Sequence, residues 1–387
     1  MALPALTPGL AAQRTDGAYI GTLGSSVIVV RFDTGGTSLG SGARADVYAD
    51  YHKRAGGKDV RWVGSRQGDT WTLTGLRVAR AGPLVTSPDR SWTLDRIIQQ
   101  NTRPSSLRVT LRFASGTVTG TWTDLEIKGS SLPIRLRRAT QKDLNALKLG
   151  GVQTNAWVNA NPYAALRFDA GFKLASTQTV DGKRVKWLVE PKSGVRLPRL
   201  PGERAEVNDL LQLEHLKAAD AILACSTKAH QYDTTLGVYT GQLFSMGAKV
   251  DGLCNRPPAF MDVGNENITI DLKHARKLEL SDLYRFTNLP VARDPLSTEF
   301  VEYQNAVWVT LEHVLRTQNR TLPEGIDASC LNAYPANNPF KLRKLAWFLT
   351  PTGLAIHSRL RGAPCENNFT LPYARLRSYL APNSPLR

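Results

Sequence analysis

The sequence predicts an α+β protein in two parts: an antiparallel β-meander folded as a small barrel or sandwich, followed by an α+β domain with a mostly antiparallel sheet. Two patterns carry this. From Asp16 to Arg138 the chain is a succession of short, turn-bounded apolar runs, the signature of strands in sequence order. Beyond Ala205 two long helical periodicities are interleaved with short strand-like segments, as expected of helices packed on a sheet. The resulting plan is a leader over 1–15, an all-β domain over 16–139, a linker over 140–160 and an α+β domain over 161–387. At 387 residues with 42% hydrophobic and 21% charged side chains, each part has enough chain to bury a core.

Taken in order, Ala18–Leu23 and Val27–Phe32 read as a first pair of strands joined by a Gly-Ser turn. Trp71–Thr74, Trp92–Leu94, Leu107–Phe113, Val118–Trp122 and Leu132–Arg137 continue the set. Leu107–Phe113 and Leu132–Arg137 alternate apolar with polar residues, as a sheet with one buried face requires. Thr34-Gly35-Gly36 and Ser115-Gly116 supply turns, and Ser38-Leu39-Gly40-Ser41-Gly42 reads as a hairpin rather than a phosphate loop. Residues Thr140–Asn161 change character, with a short polar helix over Gln141–Leu149 and a Gly-Gly/Asn-rich stretch.

In the second half, Val207, Leu210, Leu211, Ala218 and Ile222 fall on one face of a helix over Ala205–Ala224. Phe300, Val307, Leu311 and Val314 do the same over Thr298–Gln318. Strands are expected at Leu236–Phe244, Ile268–Leu272, Trp347–Leu349 and Leu354–His357. No apolar run approaches the roughly 20 residues of a membrane helix, so no transmembrane segment is expected. Met1–Gln13 lacks the basic start and sustained apolar stretch of an intact export signal.

The four cysteines, Cys225, Cys254, Cys330 and Cys365, all lie in the second half without a C-x-x-C spacing. An even number in that pattern fits two disulfides in an oxidising compartment better than a zinc site, and leaves three pairings open. Net charge is +16, and residues 1–150 hold 21 Lys+Arg against 11 Asp+Glu. A basic first domain points to an anionic neighbour.

Catalytic constellations are not apparent. The six histidines, His52, His215, His230, His274, His313 and His357, form no metal-ligand spacing and read as solvated or helix-flank residues. No G-x-S-x-G elbow, Walker loop or dinucleotide fingerprint is present. The carboxylate pairs Asp262/Glu266 and Glu299/Glu302 read as charged surface. Basic residues interleave with aromatic or apolar ones at Tyr51-His52-Lys53-Arg54, Lys58-Asp59-Val60-Arg61-Trp62 and Arg135-Leu136-Arg137-Arg138, which suits either single-stranded nucleic acid or the solvated side of strands; the cysteines favour a compartment without nucleic acid. The expectation is no catalytic residue, no metal and no cofactor.

The second half carries an ordered set of short motifs: Lys186–Leu200 leading into the long helix, then Asp271-Leu272 followed by Arg276-Lys277-Leu278-Glu279-Leu280-Ser281-Asp282-Leu283, and finally Leu371-Pro372-Tyr373 with Leu376. In order and spacing these resemble the RsiV-like domain, the lysozyme-binding ectodomain type of some anti-sigma factors, over about Trp157–Leu380. The first half resembles the small β-domain that precedes this module in some proteobacterial envelope proteins. The resemblance implies disulfides Cys225–Cys254 and Cys330–Cys365. It also implies a periplasmic, secreted or surface-exposed protein that binds a cell-wall hydrolase or toxin, as inhibitor, sensor or immunity factor, without being an enzyme. The chain departs from the family where a Gly-Gly-Ala-His-Pro-like turn is replaced by Cys254–Phe260; Asn255, Arg256, Pro257, Pro258 and Phe260 are the expected partner contacts. Because many lysozymes are cationic, either the partner is acidic or the interface is locally acidic, around Glu203, Glu206 and Asp209. The alternatives are a basic module for an anionic wall or outer-membrane polymer, and a peptidoglycan-modifying enzyme.

Overall fold

The computed structural model describes residues 17–34, 37–38, 44–45, 47–55, 59–78, 102–127, 129–224, 231–251, 266–293, 297–318, 343–360 and 366–387. The chain divides into two compact units: Met1–Leu149 with Asn155–Gly171 and Leu223–Ser226, and Gly150–Thr154 with Phe172–Ile222 and Thr227–Arg387. Among the described residues no helix is long and apolar enough to cross a membrane.

The first unit is a closed eight-stranded antiparallel barrel. Its strands are β1 (Gly17–Leu23), β2 (Ser26–Asp33), β5 (Val47–Lys53), β6 (Asp59–Gln67), β7 (Thr70–Val78), β8 (Thr102–Ala114), β9 (Thr117–Asp124) and β10 (Ser131–Arg138). They pair in sequence order, and β10 closes on β1 with Tyr19 opposite Arg138 and Leu23 opposite Ile134. A small hairpin of β3 (Thr37–Ser38) and β4 (Arg44–Ala45) intervenes. Closure leaves no free sheet edge, and it decides between the barrel and the sandwich that the sequence left open.

Alternation fills the interior. Ile28, Val30, Phe32, Trp62, Trp71, Leu73, Val109, Leu111, Val118 and Ile134 are at most 2% exposed. Phe32 sits at the centre of an aromatic group, with ring centroids 5.0 Å from Tyr19, 5.0 Å from Phe113 and 5.4 Å from Trp71. Eight strands make a barrel narrow enough for such side chains to occupy it. The turn at Ser115-Gly116 takes positive φ at both residues (41° and 82°), the conformation that matches the twist of a two-residue hairpin. At Gly64 the backbones approach so closely that a Cβ would lie 2.0 Å from the Thr72 carbonyl oxygen.

Residues 140–160, read from the sequence as a linker, are largely helical: Gln141–Asn145, Val152–Ala160 and then Pro162–Leu166. Leu144, Val158, Tyr163, Ala165 and Leu166 bury the outward-facing Ala18 and Val29 of the barrel. The first helix opens with a capping box in which Asp143 accepts from the Thr140 backbone and hydroxyl at 2.8 Å and pairs with Arg137 at 2.6 Å.

Among its described residues the second unit holds three antiparallel sheets and two long helices. One sheet is β11 (Lys173–Val180), β12 (Lys183–Val189) and β13 (Arg196–Arg199), and none of its strands was singled out in the sequence. The second is β14 (Gln231–Tyr239), β15 (Leu243–Asp251), β16 (Glu266–Asp271) and β17 (Arg276–Lys277). The third is β18 (Arg343–Thr350), β19 (Gly353–Leu360) and β20 (Glu366–Pro372). The helices Ala205–Ala224 and Thr298–Gln318 occur at the predicted bounds. The strand expected at Leu236–Phe244 is instead the meeting point of β14 and β15, which turn at Thr240–Gln242. Thr298–Gln318 buries Val307, Trp308, Leu311, Val314 and Leu315 against Trp347, Leu349, Leu354, Ile356 and Leu371.

Candidate functional site

In the second unit a cleft of about 340 Å³ opens where the helix Thr298–Gln318 passes over β16 and β18. Phe300, Val307, Leu345, Trp347 and Leu280 give it apolar walls. Asn267, Glu279, Ser281, Arg293, Tyr303 and Gln304 add polar groups, and Val291, 46% exposed, stands at the rim.

Each segment is held by a local device. Glu279 and Asp282 form a capping box, with the Glu279 N–H donating to Asp282 Oδ2 at 2.7 Å, which presents Leu280 and Ser281. Arg276 steadies Asp282 at 3.1 Å, and Leu278 and Leu283 are fully buried beneath the turn. Burial raises the Tyr303 phenol above its ordinary range, a hydrogen bond with Ser281 opposes this, and the Glu279 charge adds to it. Tyr303 therefore remains a hydroxyl donor at neutral pH. Apolar walls beside polar groups of both signs can take up an apolar group and hydrogen-bond what carries it.

The motif residues behind the family resemblance have packing roles. Asp271 accepts from the His274 N–H at 3.1 Å and pairs with His274 Nδ1 at 2.7 Å, closing the turn before β17. Ala275 takes φ 49° in that turn. Leu371 and Leu376 are fully buried, and the Tyr373 hydroxyl donates to the Thr350 carbonyl at 2.7 Å. Glu190, also buried, accepts backbone N–H groups of Lys192 and Ser193 in the turn before β13.

The expected contacts Asn255, Arg256, Pro257, Pro258 and Phe260 lie outside the described residues, as do Cys225, Cys254, Cys330 and Cys365. Glu203, Glu206 and Asp209 do not make the free acidic patch anticipated. Glu203 accepts from Lys183 at 3.3 Å and from the Tyr239 hydroxyl at 2.9 Å, and Glu206 pairs with Arg204 at 3.3 Å. Asp209, 9% exposed, accepts the Gln153 and Thr154 N–H groups at 2.8 and 3.1 Å, capping the helix Val152–Ala160.

Two histidines depart from the solvated reading. His215 is fully buried, with Nε2 2.9 Å from the Val195 carbonyl and its ring 4.3 Å from Phe172. Burial, with the nearby Arg199 charge, lowers its pKa to about 3. His52, also fully buried, sits on the outer side of β5 with Nδ1 2.9 Å from Asp59, which pairs with Arg167 at 2.6 Å. The adjacent row places Asp50 between Arg31 (2.6 Å) and Arg61 (2.9 Å). In the basic–aromatic interleaving at 51–62, His52, Asp59 and Arg61 are thus paired groups on the outer side of two barrel strands, while Lys53 is exposed. Glu299 and Glu302 are exposed. Among the described residues no group of three His, Cys, Asp or Glu side chains is placed to hold a metal.

The sequence reading missed the cleft because its lining comes from separate segments around 267, 280, 292, 303 and 346. One signal was visible in advance: Leu289-Pro290-Val291 is an apolar run in a loop, which a solvated loop does not need. No protein-family model matches the chain. No curated protein matches its sequence.

Proposed function

We propose that this chain is a non-catalytic binding protein of the cell envelope that captures a cell-wall hydrolase or toxin, as inhibitor, sensor or immunity factor. The observation that carries the proposal is the cleft between the helix Thr298–Gln318 and the sheet. Its volume, apolar walls and polar groups suit a protruding side chain of a protein partner. The ordered motifs of the RsiV-like resemblance support the same reading, and the four cysteines support an oxidising compartment.

Glu279 and Arg293 on the same cleft give the site both signs of charge, so a cationic partner is accommodated locally despite the overall +16. The test is a pull-down from envelope and secreted extract with oxidised full-length protein, followed by an inhibition assay on whatever hydrolase is recovered. One stoichiometric hydrolase or toxin whose activity falls on binding supports the proposal. Recovery of no protein, or of a hydrolase that is neither retained by purified protein nor inhibited, overturns it.

A further inference from the structure

The barrel has a second outer face, unlike the paired one on β2, β5 and β6. Along β7, β8, β9 and β10 the outward positions are Thr70, Thr72 and Thr74; Arg108, Thr110 and Arg112; Thr117, Thr119, Thr121 and Thr123; and Pro133, Arg135 and Arg137. The inward positions between them, Trp71, Leu73, Val109, Leu111, Phe113, Val118, Ile134 and Leu136, belong to the core.

The register brings the charges into rows. Thr119 is opposite Arg112 on one side and Arg135 on the other, and Arg112 is itself opposite Thr70. In the next rows Thr110 is opposite Thr72 and Thr121, and Arg108 is opposite Thr74 and Thr123. With strands about 4.8 Å apart and alternate residues about 7 Å apart, Arg112 and Arg135 stand about 10 Å from each other across Thr119. Arg108 lies about 13 Å from Arg112 along the strand.

None of the outward residues of these rows is acidic. On the opposite face Arg31 and Arg61 share Asp50, and at the margin Arg137 is taken by Asp143. Arg108, Arg112 and Arg135 have no carboxylate partner among the described residues. Guanidinium forks without an acid among the described residues match carboxylates and phosphates. Threonine hydroxyls, which both donate and accept, match sugar hydroxyls between the charges. The aromatic side chains of the same strands, Trp71, Phe113 and the partly buried Trp122, pack toward the barrel core, so the outward rows hold no platform on which bases stack.

We infer that the Arg108–Arg112–Arg135 face of the barrel binds an acidic polysaccharide, a sugar chain carrying carboxylates. The site is separate from the cleft, so it stands or falls independently of the proposed protein partner. On the envelope location proposed above, holding a carboxylated glycan would keep the chain at the wall.

The test uses the full-length protein and immobilised polygalacturonate, with dextran and single-stranded DNA as comparators, across a salt series. The expected result is polygalacturonate binding that weakens steadily as salt rises, no dextran binding and weaker binding of DNA. Arg112→Gln with Arg135→Gln lowers affinity about tenfold. Arg112→Lys with Arg135→Lys, which keeps charge but loses the fork, shows an intermediate loss. Arg108→Gln checks the same face from one exposed position, and circular dichroism confirms that each variant is folded. Unchanged affinity in the folded Gln variants overturns the inference, as does equal binding of dextran. DNA bound as tightly as the uronate replaces it with a nucleic-acid reading.

Discussion

Arg167 Nη1 lies 2.6 Å from Asp59 Oδ2, and both side chains are almost wholly removed from solvent, at 2% and 3% exposure. The other Asp59 oxygen meets His52 at 2.9 Å, so one carboxylate joins two barrel strands to the segment that follows the helix Pro162–Leu166.

Removing that carboxylate leaves a guanidinium buried without its partner. Asp59→Ala is expected to destabilise the protein by about 3–5 kcal/mol, read from urea unfolding. Combining it with Arg167→Met recovers much of the loss, because no uncompensated charge then remains. A cost under about 1 kcal/mol for the single change would show that the pair holds little.

His215 gives the second unit an acid-side weakness. Its folded pKa is lowered to about 3 by burial and by Arg199, against about 6.5 in an unfolded chain. Above pH 6.5 neither state is protonated and the group adds no pH dependence. Between pH 6.5 and 3 the unfolded chain takes up a proton that the folded chain refuses, so stability falls by up to about 1.4 kcal/mol per pH unit. Relative to His215→Gln, the native protein loses stability faster between pH 7 and pH 5. Parallel stability curves for the two proteins would refute this.

Asp209 and Gly151 form a coupled cap. Asp209→Ala is expected to cost about 1 kcal/mol and to raise hydrogen exchange at the first amides of the helix Val152–Ala160. Gly151 has φ +107°, and a Cβ there would lie 1.9 Å from Asp209 Oδ1. Gly151→Ala should therefore cost more than the loss of the cap, and the double variant should cost less than the two changes summed.

At the cleft, Val291→Asp adds charge to an exposed rim position. Stability should change by less than about 0.5 kcal/mol, while capture of the partner falls at least about tenfold. Unchanged capture, measured by titration calorimetry, would move the interface elsewhere.

Much of the architecture is written locally. Strict alternation at Leu107–Phe113 and Leu132–Arg137 marked β8 and β10, and the 3.6-residue apolar stripes marked the helices Ala205–Ala224 and Thr298–Gln318. β5 and β6 escaped because their outward positions hold His52, Asp50, Asp59 and Val63, which are themselves buried. The polar half of their alternation is largely kept, and a buried ion pair looks like surface in a sequence.

By itself the sequence determined the strand-rich, basic first half and the long helices, because turn chemistry and side-chain periodicity act within a few residues of one another. Only the tertiary structure decided that the meander closes into a barrel, that Arg31, Arg61 and Arg167 find acids while Arg108, Arg112 and Arg135 find none among the described residues, and that five separated segments meet at one cleft. The reason is physical: whether a charge is paired or free, and whether an apolar residue lines a core or a cleft, depends on neighbours far away in the chain.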